Sequence, residues 1–357
     1  MTRVLIIAPD LFGYGGIQVA GRMALQALDD SFPGIELTVL SSMDSSDAVR
    51  EVYGIRGWGA EGNRKKMALR CAYELNLHRW DAVLVLHVNL ATLLLASYRR
   101  QPTLVALYGI DAWRTLGLLT RRGMRRSAFV WAISEHTLRK GCEFNPWLAE
   151  VRAEVCHLGG PAAADSPPGP PPQSNPYILS IGRMHSLERY KGFDELIGVW
   201  PRVIQQRPEL ELLLMGEGPD RPRLEKLARG QTGIRFLGRV SDDDRDRYLR
   251  HCAAFALPSS GEGFGLVYLE AMRVGRPVLT GSTDAGAEVI RDRVTGRAVD
   301  PRSSDELLDG LLDVTGPNAE PYGRAGRTLF ESQFTLGHFR DRFSHLIRRL
   351  LDSSHKR

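Results

Sequence analysis

Cysteine is scarce and scattered: Cys71, Cys142, Cys156 and Cys252 are the only four in 357 residues, with no CxxC pair and no zinc-ligand spacing. That excludes a disulfide framework and fits reduced thiols in the cytoplasm. Long apolar runs are also missing. The opening run VLIIAP at 4–9 falls far short of the roughly 20 residues that cross a bilayer, and no signal segment stands before it. The expectation is a protein in solution or on a membrane surface. The G-x-G-x-x-G phase is absent as well, because Gly13, Gly15 and Gly16 have the wrong spacing and no acidic residue closes a second strand about 20 residues later. This disfavours a dinucleotide-dependent dehydrogenase. Excess charge is slight: a net +5 and a pI near 9.1 are too mild to argue for nucleic acid and permit an anionic substrate or membrane.

What is present is alternation. VLIIAP, a helix over 19–28, LTVLSS, DAVLVLHV, TLVALYG and FVWAIS follow one another with helical stretches between, the pattern of a parallel sheet covered on both faces. A proline-dense stretch at 161–176, PAAADSPPGPPPQSNP, suits neither helix nor strand and reads as a semi-rigid linker. A second series follows, with YILSIG, a helix over 193–206, LELLLMG, a helix around Leu224, IRFLG, AFALP and PVLTG. At this length two domains are the default. The expected division is a first domain over 1–165, a linker over 166–176, a second domain over 177–335 and a final amphipathic helix over 336–357. In that helix Phe339, Phe343, Leu346, Ile347 and Leu350 recur at helical spacing, and a polar tail, SSHKR, follows. Ligands of open parallel sheets bind beyond the carboxyl ends of the strands, so a cleft between two such domains, closed by hinge motion, is the expected site.

The most informative segment is GEGFGLVYLE at 261–270. Glu262 should sit in the loop before a helix and Glu270 inside it, with Gly275 as its stop. At about 1.5 Å rise per residue the two carboxylates lie roughly 10 Å apart, enough to hold two parts of one extended ligand. Gly263 and Gly265 remove side chains where a sugar would approach the backbone. In GRMHSLERYKG, the cations Arg183, Arg189 and Lys191 collect between strand and helix, either as a diphosphate clamp or as a solvated basic loop. His87 and Asp111 end strands where a cleft opens; either orients an acceptor hydroxyl, or each is a hydrogen-bonded core group. The DxD of VSDDD suits a capping box from Ser241 to Asp244 better than a metal, which leaves phosphate charge to arginine and lysine. Arg121, Arg122, Arg125 and Arg126, if helical, form one basic face that would attract lipid phosphates; a plain solvated face is the alternative.

Together, GEGFGLVYLEAMRVGRP, GRM with ERYKG, and the GYGGIQ turn resemble glycosyltransferase family 4, across nearly the whole chain. The resemblance implies an α/β GT-B fold, two Rossmann-like doubly wound domains facing each other across a cleft, and retention of anomeric configuration. The two glutamates separated by seven residues are its most specific mark. By that resemblance Glu262 lies beside the donor sugar and Glu270 holds the ribose hydroxyls, while backbone N–H groups over 263–266, from Gly263 through Phe264 and Gly265 to Leu266, contact the sugar. Arg183 and Lys191 match the diphosphate pair, with Arg189 able to replace either. Gly15 and Gly16 approach phosphate from the first domain, and Arg239 and Val240 stand where the family contacts the base. The final helix crosses back to the first domain. Many members carry a histidine where this chain has Tyr108 before Gly109, so the acceptor side is assigned to His87, Tyr108 and Asp111, with Asp111 counted among the catalytic groups.

The function so implied is transfer of a hexose, mannose or glucose, from a nucleoside diphosphate sugar to a hydroxyl acceptor, without cofactor or metal. A lipid-linked saccharide in polysaccharide or cell-envelope glycan synthesis, met on the inner face of the cytoplasmic membrane, is the acceptor that the basic patch suggests; nucleic acid is not expected as a partner. Two alternatives stand beside it: a GT-B nucleotide-sugar epimerase, which converts donor without acceptor, and a non-catalytic partner subunit of a glycosyltransferase.

Overall fold

The computed structural model describes residues 2–13, 15–53, 56–160 and 169–353. The first half of the proline-dense stretch (161–168), Tyr14 and the tail from 354 lie outside the described residues.

The chain divides into two units, Met1–Leu158 with Leu336–Arg357, and Gly159–Thr335. The division falls earlier than the expected residue 165. In the first unit the strands are β1 (Arg3–Ala8), β2 (Glu36–Ser41), β3 (Arg56–Gly59), β4 (Ala82–Val85), β5 (Thr103–Leu107), β6 (Phe129–Ala132) and β7 (Ala153–Val155), in the order β3-β2-β1-β4-β5-β6-β7. In the second they are β8 (Tyr177–Ile181), β9 (Glu211–Met215), β10 (Ile234–Gly238), β11 (Ala254–Leu257), β12 (Val278–Gly281) and β13 (Gly296–Val299), ordered β10-β9-β8-β11-β12-β13. Every recorded pairing between strands is parallel. Central strands are apolar throughout because both faces are covered: β4, β5, β6, β8 and β11 are buried at every position.

Both sheets reverse their strand order at a first strand, between β1 and β4 and between β8 and β11. At such a reversal the loops leave in opposite directions and open a crevice beyond the strand ends. Arg183, Lys191 and Glu262 stand there in the second unit, and Gly15, Gly16 and His87 in the first. Helix starts are fixed by side chains that accept orphan N–H groups: Asn63 from Lys66, Ser134 from Thr137, Ser241 from Asp244 and Ser303 from Glu306. Ser241 caps the helix at the Asp244 N–H as read from the sequence, and its hydroxyl donates to the Asp244 carboxylate at 3.0 Å.

The last helix, Leu336–Asp352, belongs to the first unit. Phe339, Phe343, Leu346, Ile347 and Leu350 are buried, and the ring of Phe343 lies 4.9 Å from that of Trp131 on β6. Burying side chains of this size contributes about 1.5–3 kcal/mol each. Arg349 adds a 2.7 Å bond to Glu154 on β7.

The four arginines near residue 121 do not share one helical face. Their helix runs Leu118–Met124 and ends before Arg125. Arg121 stacks on Trp147, Arg125 pairs with Glu150 at 2.5 Å, and Arg126 donates to the Arg99 carbonyl. A short helix that stops at Met124, before β6 begins at Phe129, leaves only Arg122 of the four exposed without such a contact among those described.

Candidate active site

In the second unit the loop after β8 holds Arg183 and then a tight 3-10 turn over Ser186–Lys191. Gly192 ends that turn at φ 82°, and a Cβ there would meet the Pro258 carbonyl oxygen at 2.4 Å. Only glycine lets this loop press against the end of β11. The contact carries Lys191 to Glu262, in the loop after β11: Nζ lies 2.6 Å from Oε1. Glu188 joins the cations from below, 2.5 Å from Arg183 and 3.8 Å from Lys191. Burial works against the charge on Lys191, but Glu262, Tyr190 and Glu188 outweigh it and raise its pKa. The ammonium is therefore fully charged at neutral pH. Arg183 is mostly exposed, whereas Arg189 turns away to Asp220, so of the three cations Arg183 and Lys191 are the two that meet at Glu188.

Glu262 is held at its backbone. Its N–H donates to Asp284 Oδ2 at 2.7 Å, and Oδ1 of the same carboxylate accepts the Gly286 N–H at 2.9 Å. Asp284, in the loop after β12, is 3% exposed. Burial pushes its pKa up to about 7, against the pull of these N–H groups and with a further push from Glu262. Beyond Glu262, Phe264 is buried and packs its ring toward Phe334. Gly265, at φ 90°, starts the helix Leu266–Arg273. Glu270 stands within that helix, as expected, bonded to Arg245 of the helix Asp242–His251. Burial raises its pKa while Arg245 opposes the shift. Arg239, exposed, and Val240, half-buried, follow β10.

In the first unit, Gly15 and Gly16 lead from β1 into the helix Gly16–Ser31. A side chain at Gly16 would meet nothing within 4 Å, so a ligand can approach the backbone there. His87 and Asp111 follow the neighbouring strands β4 and β5, with Nε2 and Oδ2 4.0 Å apart. His87 Nδ1 accepts the Asn89 N–H, which leaves its proton on Nε2, facing Asp111. Burial, helped by Arg114, lowers the His87 pKa to about 4, so the ring is neutral at pH 7. Burial raises Asp111 to about 7 although several backbone N–H groups hold it down, and Oδ2 has no hydrogen-bond partner among the described residues. Tyr108 turns its ring into the core against Trp131. Trp113, which sequence reasoning passed over, sits edge-on to His136 with its Nε1 also lacking a partner.

An unfolded aspartate titrates near 3.9. With a folded value near 7, Asp111 holds a proton that the unfolded chain has lost between those pH values, so its ionisation costs stability fully above about pH 7 and not at all below about pH 4. Asp111→Asn should therefore be more stable than the parent at pH 8, by on the order of 1–3 kcal/mol, with the gain fading by pH 5. Thermal melts at the two pH values check this.

The family described as Glycosyl transferases group 1 matches residues 175–315, which fall in the second unit. The phosphatidyl-myo-inositol mannosyltransferase of Mycobacterium tuberculosis is 35% identical over 153 residues, 40% of this chain and 39% of that protein. A GDP-mannose-dependent monoacylated alpha-(1-6)-phosphatidylinositol monomannoside mannosyltransferase of Corynebacterium glutamicum is 30% identical over 44% of each. The matches thus span about two fifths of the length of these curated relatives. Among solved structures, the Anabaena protein HepE in complex with UDP-glucose superposes with a TM-score of 0.77 at 15% identity, covering 98% of this chain and all of that one. The resemblance and the GT-B fold expected from the sequence are borne out.

Proposed function

We propose that this chain, a GT-B protein whose second unit is a group 1 glycosyltransferase domain, moves a hexose from a nucleoside diphosphate sugar to a hydroxyl acceptor with retention of configuration. The observation that carries the reading is the Lys191–Glu262 pair at the strand reversal, with Arg183 joined to it through Glu188. Phosphate oxygens compete with the carboxylates for these cations when a donor enters. The cations then neutralise the charge that grows on the departing diphosphate, the kind of electrostatic contribution that is often the largest in catalysis. The sugar left behind, oxocarbenium-like, is attacked by the acceptor from the face the diphosphate leaves. Glu262 borders that face, and its loop is fixed by Asp284. Glu270 binds the ribose hydroxyls, and Arg245 offsets part of the burial that raises its pKa. On the first unit, Asp111 with His87 orients the acceptor hydroxyl. No metal takes part, so a chelator should leave the rate unchanged.

The relatives named for GDP-mannose and phosphatidylinositol support mannose as the sugar and a lipid-linked acceptor met at an anionic membrane. Melting in the presence of GDP, UDP and their sugars tests the donor. A ligand at 100 times its dissociation constant adds about 2.7 kcal/mol of stability. Glu270→Ala should lose most of that shift, measured from its own ligand-free melting point, which should drop because Arg245 loses its carboxylate partner. Absence of a shift with every nucleotide would refute donor binding, and conversion of donor without acceptor would indicate an epimerase instead. Proton NMR of the product anomer decides retention.

A further inference from the structure

The helix Arg64–Leu77 of the first unit is apolar on two opposite faces. Met67, Cys71 and Leu75 point into the core. Leu69, Tyr73 and Leu77, at positions i, i+4 and i+8 and so on one outer face, are 73%, 48% and 62% exposed. A surface helix ordinarily keeps that face polar. Tyr98, 73% exposed, extends the stripe, fastened to the helix end by bonds of its N–H to the Asn76 side chain and its hydroxyl to the Asn76 carbonyl.

Cations border the stripe. Arg64, Lys65 and Lys66 are exposed in the first turn, and Arg79 and Arg100 at the other end. Arg70 lies over the Tyr73 ring at 5.4 Å and Arg99 over the Tyr98 ring at 5.5 Å. The helix contains one acid, Glu74, which is wholly buried and bonded to Arg70; exposed Glu61 and Asp81 flank it, and Asp81 accepts the Arg3 N–H. The exposed face of the helix therefore carries charge of one sign. A second copy of the chain is a poor occupant, since a two-fold contact would bring these cations against one another. An anionic bilayer matches both features: leucine and tyrosine at headgroup depth and basic side chains among the phosphates are the composition of a helix lying in the interface. From Leu69 to Leu77 the stripe runs about 12 Å, enough to lie flat on the surface.

We infer that this face, rather than the arginines near residue 121, is where the first unit rests on an anionic lipid bilayer. The inference rests on the membrane-side acceptor reading above and gives it a surface. Sedimentation with vesicles of phosphatidylcholine alone, and of phosphatidylcholine with phosphatidylglycerol, tests it without donor or acceptor. The parent should bind the anionic vesicles and lose them at high salt. Lys65→Ala with Lys66→Ala should weaken binding about 30-fold, at roughly fivefold per basic residue near an anionic leaflet. Leu69→Ser, Tyr73→Ser and Leu77→Ser together should abolish it, with melting unchanged because these side chains are exposed. The inference fails if the parent ignores anionic vesicles, if the triple variant binds as the parent does, or if the parent is a dimer that the triple variant converts to monomer. Nucleotide-induced melting shifts, measured without lipid on the same samples, separate the two readings: kept shifts with no vesicle binding sink only this surface, and vesicle binding without shifts sinks only the donor site.

Discussion

Replacing Lys191 with alanine is expected to lower turnover by about 10²- to 10³-fold, the usual cost of removing one fixed donor from a developing negative charge. Its ammonium is held 2.6 Å from Glu262 by a turn that Gly192 locks onto the end of β11, so no other side chain can take its place. Arg183 is tied to Glu188 and mostly exposed, so water screens it and its loss should cost less. Nucleotide affinity in Lys191→Ala should fall far less than turnover, because a contact that strengthens as the diphosphate departs appears in kcat. Lys191→Arg keeps the charge but not the compact ammonium that fits beside Glu262, and should recover only part of the rate. Steady-state kinetics on the acceptor, with melting shifts for affinity, check the split; full turnover in the alanine variant would remove Lys191 from the chemistry.

The alternation of apolar runs was enough to locate the central strands, because in doubly covered parallel sheets they are continuous: YILSI, ELLLM and AFAL stand where they were read. The helix Phe193–Gln206 matches residue for residue, bounded by Gly192 and carried past an internal Pro201. What escaped was marginal or local. β3 (RGWG) and β7 (AEV) lie at sheet edges, short and partly exposed, and have no run to betray them. Ser303 caps the helix Ser304–Val314, and the helix Ala319–Gln333 has buried residues at helical spacing, but neither these nor the short β13 was read from the sequence. Glu262, Glu270 and Lys191 were legible because glycines mark where the backbone must come close. Glu188, Arg245 and Asp284 were not, because a carboxylate serving a loop 22 residues away, or an arginine reaching across from the next helix, looks in sequence like any surface charge. The arginines near residue 121 show the reverse error: a charge cluster suggests a face, yet the end of one short helix divides it.

Asp284 is where the fold and the chemistry meet, and its removal should have the second large effect. One carboxylate fastens the Glu262 and Gly286 N–H groups at 2.7 and 2.9 Å, so Asp284→Ala leaves two buried donors without a partner. Each charge-assisted bond is worth about 1.5–3 kcal/mol. The loop bearing Glu262 should loosen, and turnover should fall about 10- to 100-fold while GDP or UDP alone still binds, if the nucleotide is held by Glu270 as proposed and not by this loop. The pH dependence sets this apart from simple destabilisation. Asp284 titrates near 7 in the folded chain and near 3.9 unfolded. Its ionised form therefore costs stability above about pH 7, and that cost disappears as the pH falls toward 4. Only the ionised form accepts both N–H groups in full. Activity and stability should therefore move in opposite directions: on acidification through pH 7 the parent melts higher but turns over more slowly. Asp284→Asn, with one carbonyl oxygen and no titration there, should make both slopes shallower across that range and leave only the share that Asp111 contributes. A parent whose turnover is level from pH 8 to pH 6, or an asparagine variant that keeps the parent's slope, would show that the Glu262 loop is set by something other than this carboxylate.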